Sequence, residues 1–207
     1  MKTALKIFGL AGLLAVAASA TPINYDTTGS AFSCNGVVGC TGGGSSVSFG
    51  LLTLTYNAGS GSGVNAPSII SLGNIVTSGT SAGVNLTGLL LTIHVNSTPP
   101  GGGGNLPNGT ISASISTNSS GSTILFSPNN TTTSYGTLPG VVIGSGAQAV
   151  TYQVLNPFLG LQAPIVGNPQ GQTTIQGAVT ATPEPATFAL MGAGLCLAGL
   201  IRRRRVA

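Results

Sequence analysis

Thr173-Thr174-Ile175-Gln176-Gly177-Ala178-Val179-Thr180-Ala181-Thr182 decides the fold class. Ile175, Val179 and Ala181 fall on one side of an extended chain, and Gln176 and Thr180 fall on the other, which is the period-two pattern of a half-buried strand. The pattern recurs upstream. Thr110–Thr117 sets Ile111, Ala113 and Ile115 against Ser112, Ser114 and Ser116, and Ala149–Val154 aligns Val150, Tyr152 and Val154. Val84–Val95 is apolar on both sides at Leu89, Leu90 and Leu91, as suits a central strand of a two-layer structure. Val47–Tyr56 changes phase, with Val47, Phe49 and Leu51 followed by Leu52, Leu54 and Tyr56, so a β-bulge is expected near Leu51. Weaker strands are expected at Ser68–Thr77, Thr123–Phe126 and Gly140–Ile143.

No stretch of the body carries helical periodicity, and glycine and proline punctuate the apolar runs. The prediction is an all-β fold, a β-sandwich with the jelly roll as one form it can take, built from about eight short strands. It occupies residues 21–181, enough for one domain with a real core. Pro99–Pro107 reads as a long inter-strand loop, and Thr21–Ser46 as a loosely packed lead-in.

Both ends of the chain read as targeting segments. In residues 1–20, Lys2 and Lys6 precede an apolar run from Ile7 to Ala18. Ala18-Ser19-Ala20 then supplies small residues at Ala18 and Ala20, so a secretory signal cut before Thr21 is expected. Residues 182–207 have three parts: Thr182-Pro183-Glu184-Pro185-Ala186-Thr187, an apolar run 188–201, and Arg202-Arg203-Arg204-Arg205. At ~1.5 Å per residue a helix over the apolar run reaches about 21 Å, short of a ~30 Å hydrocarbon core. A single C-terminal membrane helix of this kind suits a transient anchor rather than a permanent one. The arginines stay on the cytoplasmic side, which places Pro183, Glu184 and Pro185 just outside the bilayer. Prolines there disfavour continuation of a helix and present extended chain to a peptidase.

The Pro183-Glu184-Pro185 motif, the Gly/Ala/Leu-rich span and the terminal arginines together resemble the PEP-CTERM sorting domain of Gram-negative bacteria. The resemblance implies processing by exosortase, a membrane cysteine peptidase, after export through the inner membrane. It further implies delivery to the cell surface, outer membrane or extracellular matrix, in association with exopolysaccharide.

All six Lys and Arg residues lie in the two targeting segments, so the sequence pI of 9.3 does not describe the body. Asp26, Glu184 and His94 are the only Asp, Glu and His residues. A body without basic residues has no footprint for nucleic acid. A glycosidase needs two carboxylates at one bond, and Asp26 and Glu184 lie at opposite ends of the body. A Ser-His-Asp hydrolase would have to use His94 and Asp26, and no nucleophile elbow accompanies them. No catalytic residue is assigned, and the chain is not expected to be an enzyme. His94 reads as a half-exposed structural histidine.

Cys34 and Cys40 frame five residues, two of them glycine, in an oxidising compartment. A Cys34–Cys40 disulfide is expected, stabilising by ~2 kcal/mol on the loop-entropy estimate. Two thiols and one distant histidine do not make a tetrahedral site, so no metal or other cofactor is expected.

Two functions fit. One is a structural protein of the cell surface or matrix, whose uncharged strand edges favour self-association and adhesion to exopolysaccharide. The other is a carbohydrate-binding module or adhesin. Sugar platforms are usually aromatic, and with no Trp the candidates are Tyr25, Tyr56, Tyr135 and Tyr152, of which Tyr56 and Tyr152 read as core.

Overall fold

The computed structural model describes residues 22–80, 83–106, 109–112, 114–116, 119–126, 140–156, 158–165, 170–181 and 192–194. Within these residues the chain is mostly strand, with almost no helix. In chain order the strands are β1 (Ile23–Asp26), β2 (Ala31–Ser33), β3 (Cys40–Gly43), β4 (Ser46–Phe49), β5 (Leu52–Ala58), β6 (Ser60–Val64), β7 (Ser68–Gly79), β8 (Val84–Asn85), β9 (Leu89–Thr92) and β10 (His94–Thr98). They continue as β11 (Gly103–Asn105), β12 (Gly109–Ser112), β13 (Ser114–Ser116), β14 (Ser119–Ser120), β15 (Thr123–Phe126), β16 (Gly140–Ile143), β17 (Val150–Val154), β18 (Phe158–Gly160) and β19 (Gln170–Ala181).

The largest sheet is curled and has seven strands in the order β16-β17-β19-β7-β5-β4-β3. Its two longest strands, β7 and β19, pair along their length from Gln170 opposite Ser78 to Val179 opposite Ser68. The register slips between Ile175 and Gln176, where Gly73 sits at φ +119°. A Cβ on Gly73 would stand 2.5 Å from the Asn57 carbonyl oxygen, so this bulge requires glycine.

Three smaller sheets follow one another along shared segments of chain. They are β11-β10-β1-β6, β18-β15-β12-β9-β2 and β14-β13-β8. Their inward residues meet the seven-stranded sheet in one core. Ile23, Tyr25, Leu89, Leu91, Val95, Ile124 and Phe126 come from the small sheets; Leu52, Leu54, Tyr56, Leu72, Ile75, Tyr152, Ile175 and Val179 come from the large one. Polar tips tie the two sides together inside this core. Tyr25 Oη donates to the Ser71 carbonyl at 2.9 Å, Ser97 Oγ lies 2.7 Å from Tyr152 Oη, and the Tyr25 and Tyr152 rings are 6.1 Å apart. A buried phenol keeps its burial gain only if its hydroxyl finds a partner, and both do.

Three expectations are corrected. The phase change at Leu51 is not a bulge. Gly50, at φ +62°, and Leu51 form the turn of a hairpin between β4 and β5, which pair from Phe49 opposite Leu52. A hairpin flips side-chain parity as a bulge does, so the pattern alone did not separate them. The lead-in is not loosely packed. It supplies β1, β2 and β3, and β1 lies between β10 and β6 with Ile23 and Tyr25 buried. The glycines after Pro99 do not form a long loop either, because Gly103–Asn105 turns back to pair with His94–Asn96.

The apolar tail span 188–201 lies outside the described residues except for Gly192–Gly194, which are helical. Among the described residues, no helix is long and apolar enough to cross a membrane.

Candidate functional site

Strands β1, β10 and β11 lie side by side, and their registers set Asp26 opposite Asn96 and Asn96 opposite Gly103, with His94 opposite Asn105. Because Tyr25, Val95 and Ser97 point into the core, the alternate residues Asp26, His94 and Asn96 point outward together. Gly103 makes room for them, since a Cβ there would come within 2.7 Å of His94 Nε2.

The outward groups form one hydrogen-bonded chain. Asp26 Oδ1 accepts from the Thr28 backbone N–H at 2.9 Å, from Thr28 Oγ1, and from Asn96 Nδ2 at 3.0 Å. Asn96 Oδ1 lies 3.1 Å from His94 Nε2, and His94 Nδ1 lies 2.7 Å from Asn105 Oδ1. A carboxylate only accepts, so Asn96 must offer Asp26 its amide N–H and turn its oxygen to the ring. Nε2 of His94 is therefore a donor to Asn96 Oδ1, and the N–H bonds of this chain point toward Asp26. The Thr28 hydroxyl first, then Asn96 and the Thr28 backbone, hold the Asp26 carboxyl below the usual carboxylate range; slight burial opposes them.

This cluster gathers the only aspartate and the only histidine of the chain. Sequence reasoning placed them in no common site, and it missed Thr28, Asn96 and Asn105. The constellation does not assemble a nucleophile with its base. Among the described residues, both ring nitrogens of His94 face carboxamides, and Thr28 Oγ1 bonds the carboxylate. Ser30 Oγ instead takes the His94 backbone N–H at 3.0 Å and donates to the Thr27 carbonyl at 2.7 Å. Chemically, the cluster offers an outward row of amide, imidazole and carboxylate groups on a fixed sheet.

The tyrosines are redistributed. Tyr25, Tyr56 and Tyr152 are all buried, and burial raises the pKa of each. Tyr25 is thereby removed as a sugar platform, and Tyr135 lies outside the described residues. Tyr56 Oη lies 2.8 Å from Thr27 Oγ1 and within hydrogen-bond reach of the Leu72 carbonyl. Thr27 Oγ1 additionally receives the Gly59 N–H at 2.8 Å, so one buried hydroxyl fastens the end of β1 to the corner between β5 and β6.

Cys34 and Cys40 are joined, with Cα atoms 5.7 Å apart. The closed loop turns twice, through Val37 N–H to the Cys34 carbonyl and Cys40 N–H to the Val37 carbonyl. It ties the end of β2 to β3, the edge strand of the large sheet. Among the described residues, no three His, Cys, Asp or Glu side chains come together as metal ligands.

The processing residues Pro183, Glu184 and Pro185, the orienting Arg202–Arg205, and the signal-cleavage residues Ala18 and Ala20 lie outside the described residues. β19, fully paired inside the large sheet, ends at Ala181 opposite Val150. Residues 181–205 match the family model of the PEP-CTERM protein-sorting motif. That motif implies an exported protein with a membrane-anchored sorting signal that an exosortase processes. No curated protein and no solved structure matches the chain.

Proposed function

We propose that this chain is a non-catalytic structural protein of the cell surface or extracellular matrix, released from a transient membrane anchor by exosortase and associated with exopolysaccharide. On this reading the body is a two-layered β-sandwich and residues 182–207 are discarded in whole or in part. The observation that carries it is the sorting motif, whose match begins at the final residue of the last described strand. The composition supports it: a body with one carboxylate and no lysine or arginine favours contacts with neutral, hydroxyl-rich partners and with its own copies.

Mass spectrometry and fractionation of the protein from producing cells test the reading. The expected species begins at Thr21, ends between Thr182 and Thr187, and is found in the surface or matrix fraction. A full-length carboxyl end, or a cytosolic pool alone, would overturn it.

A second reading, a specific carbohydrate-binding module or adhesin, is favoured by one observation. Asp26, Asn96, His94 and Asn105 present fixed polar groups side by side on an outward sheet surface. A glycan array separates the two, because a module returns one defined oligosaccharide and a structural protein returns none.

A further inference from the structure

The outward face of the seven-stranded sheet carries its own pattern. Reading across the strands by register, Thr41 of β3 stands beside Ser48 of β4, then Thr53 of β5, Ser78 of β7 and Gln170 of β19. One residue pair along, a second row runs Ser46, Thr55, Val76 and Gln172; a third runs Asn57, Asn74 and Thr174. These positions alternate with the buried Val47, Leu52, Leu54, Ile75 and Ile175, so the rows all face outward. Cross-strand bonds already order them. Ser48 Oγ and Thr53 Oγ1 are 3.2 Å apart, Ser46 Oγ and Thr55 Oγ1 are 3.3 Å apart, and Asn57 Nδ2 donates to Asn74 Oδ1 at 3.0 Å.

We propose that these rows are the polysaccharide-binding surface of the protein, and that the ligand is a neutral, extended glycan lying across the strands. The proposal rests on the matrix reading above and names the site for it. Neighbouring strands are spaced ~4.8 Å apart, close to the length of one sugar ring in an extended chain, so along the first and third rows each ring meets one hydroxyl or amide per strand, while in the second Val76 takes the place of one of them. Five successive strands in the first row give five such meetings in line. Each Ser or Thr hydroxyl that is paired within the sheet keeps further hydrogen-bond capacity, and each glutamine amide offers donors and an acceptor. Charge decides the class of glycan. No charged residue occurs in any of the three rows, so the face has nothing to neutralise an anionic polymer and nothing to repel a neutral one. The rows are also pre-ordered, so little side-chain freedom is lost on binding.

The test is retention of the full chain, purified in mild detergent, on insoluble regenerated cellulose and on β-1,3-glucan particles, with an alginate gel as the anionic comparison. Thr55→Lys/Gln172→Lys puts two long charged side chains into the middle of the face. Gln170→Ala/Gln172→Ala removes amides without adding bulk. Val38→Lys adds charge at a loop position that is 93% exposed and belongs to none of the three rows. The wild-type chain is expected to be retained on at least one neutral glycan and not on alginate. Losing about two hydrogen bonds should weaken retention about ten-fold in both face variants, while Val38→Lys stays within about two-fold of wild type. Circular dichroism melts confirm that the variants are folded.

Wild-type retention with equal retention of both face variants overturns the site and leaves the matrix reading standing. Absence of wild-type retention on every glycan overturns both. Retention on alginate alone overturns the neutral-ligand assignment. Face variants that lose only self-association, seen by sedimentation, assign the face to a second copy of the chain and overturn the proposal.

Discussion

At the scale of single residues, stability rests on hydroxyls that are buried and fully used. Thr27 has no exposed surface, and its Oγ1 serves Tyr56 Oη and the Gly59 N–H while reaching the Leu72 carbonyl at 3.1 Å. Thr27→Val keeps the shape and removes the partner, leaving the Gly59 N–H buried and unsatisfied. The expected loss is about 2 kcal/mol in a urea titration, the usual range for one orphaned polar group with its lost bonds. Thr27→Ser, which retains the hydroxyl, should recover most of it. Asp26 gives a pH signature. Its pKa is lower in the folded chain because Thr28 and Asn96 hydrogen-bond the carboxylate. A lowered folded pKa means stabilisation that is complete above the unfolded value, about 3.9, and is lost as pH falls through the folded value. Asp26→Asn should therefore lower the melting temperature at pH 7, and the gap to wild type should close as pH falls through the folded value. His94 is the other titratable side chain facing this carboxylate, so the comparison is repeated in a His94→Gln background. A gap that stays constant from pH 7 to pH 2 would show that the carboxylate charge contributes nothing.

At the scale of elements, what was legible in the sequence depended on how long alternation ran undisturbed. Thr123–Phe126 and Gly140–Ile143 match β15 and β16 residue for residue, and Ser68–Thr77 lies within the twelve residues of β7. Gln176 and Thr180 of β19 face outward as expected. β1 was not legible because four residues, Ile23 to Asp26, give two buried positions before Thr27, Thr28 and Gly29 end the pattern. The polar cluster was illegible for a different reason. Asp26 and Asn96 are 70 positions apart, and only the pairing of β1 with β10 makes them neighbours. Local periodicity carries no information about which strands pair. The Cys34–Cys40 bond was legible because its loop is local. That loop also bounds its energy: a short ring removes little entropy from the unfolded chain, about 2 kcal/mol. Cys34→Ser/Cys40→Ser should lower the unfolding free energy by about that amount in a denaturant titration without changing the fold. A collapse of the cooperative transition would mean that β3 depends on the bond for its place in the sheet.

At the scale of the whole molecule, a relay of paired and packed residues links the two ends of the described body. Ala181 pairs with Val150, which pairs with Ile143, and the adjacent Gly144 packs on Pro100. Pro100 follows Thr98, which stands opposite Asn24 beside the first described strand residue, Ile23. Six residues, 182–187, then separate the body from the apolar run, a reach of at most about 20 Å fully extended. On the proposed reading, a cut within 182–187 falls close to the folded body, and the body sets a limit on one side of it. A cut before Ala181 would shorten β19, which lies between β17 and β7 and carries the buried Ile175 and Val179. Its loss exposes apolar area on two neighbours at once and leaves the long β7 unpaired on one side. A chain stopped after Ala181 should melt at the same temperature as the full chain in matched detergent, because no described contact of the body is lost. A chain stopped after Thr174, which deletes Ile175 and Val179, should show no cooperative melt. Equal melting of the two truncations would mean that β19 is dispensable, and the folded body would then set no limit on where its precursor is cut.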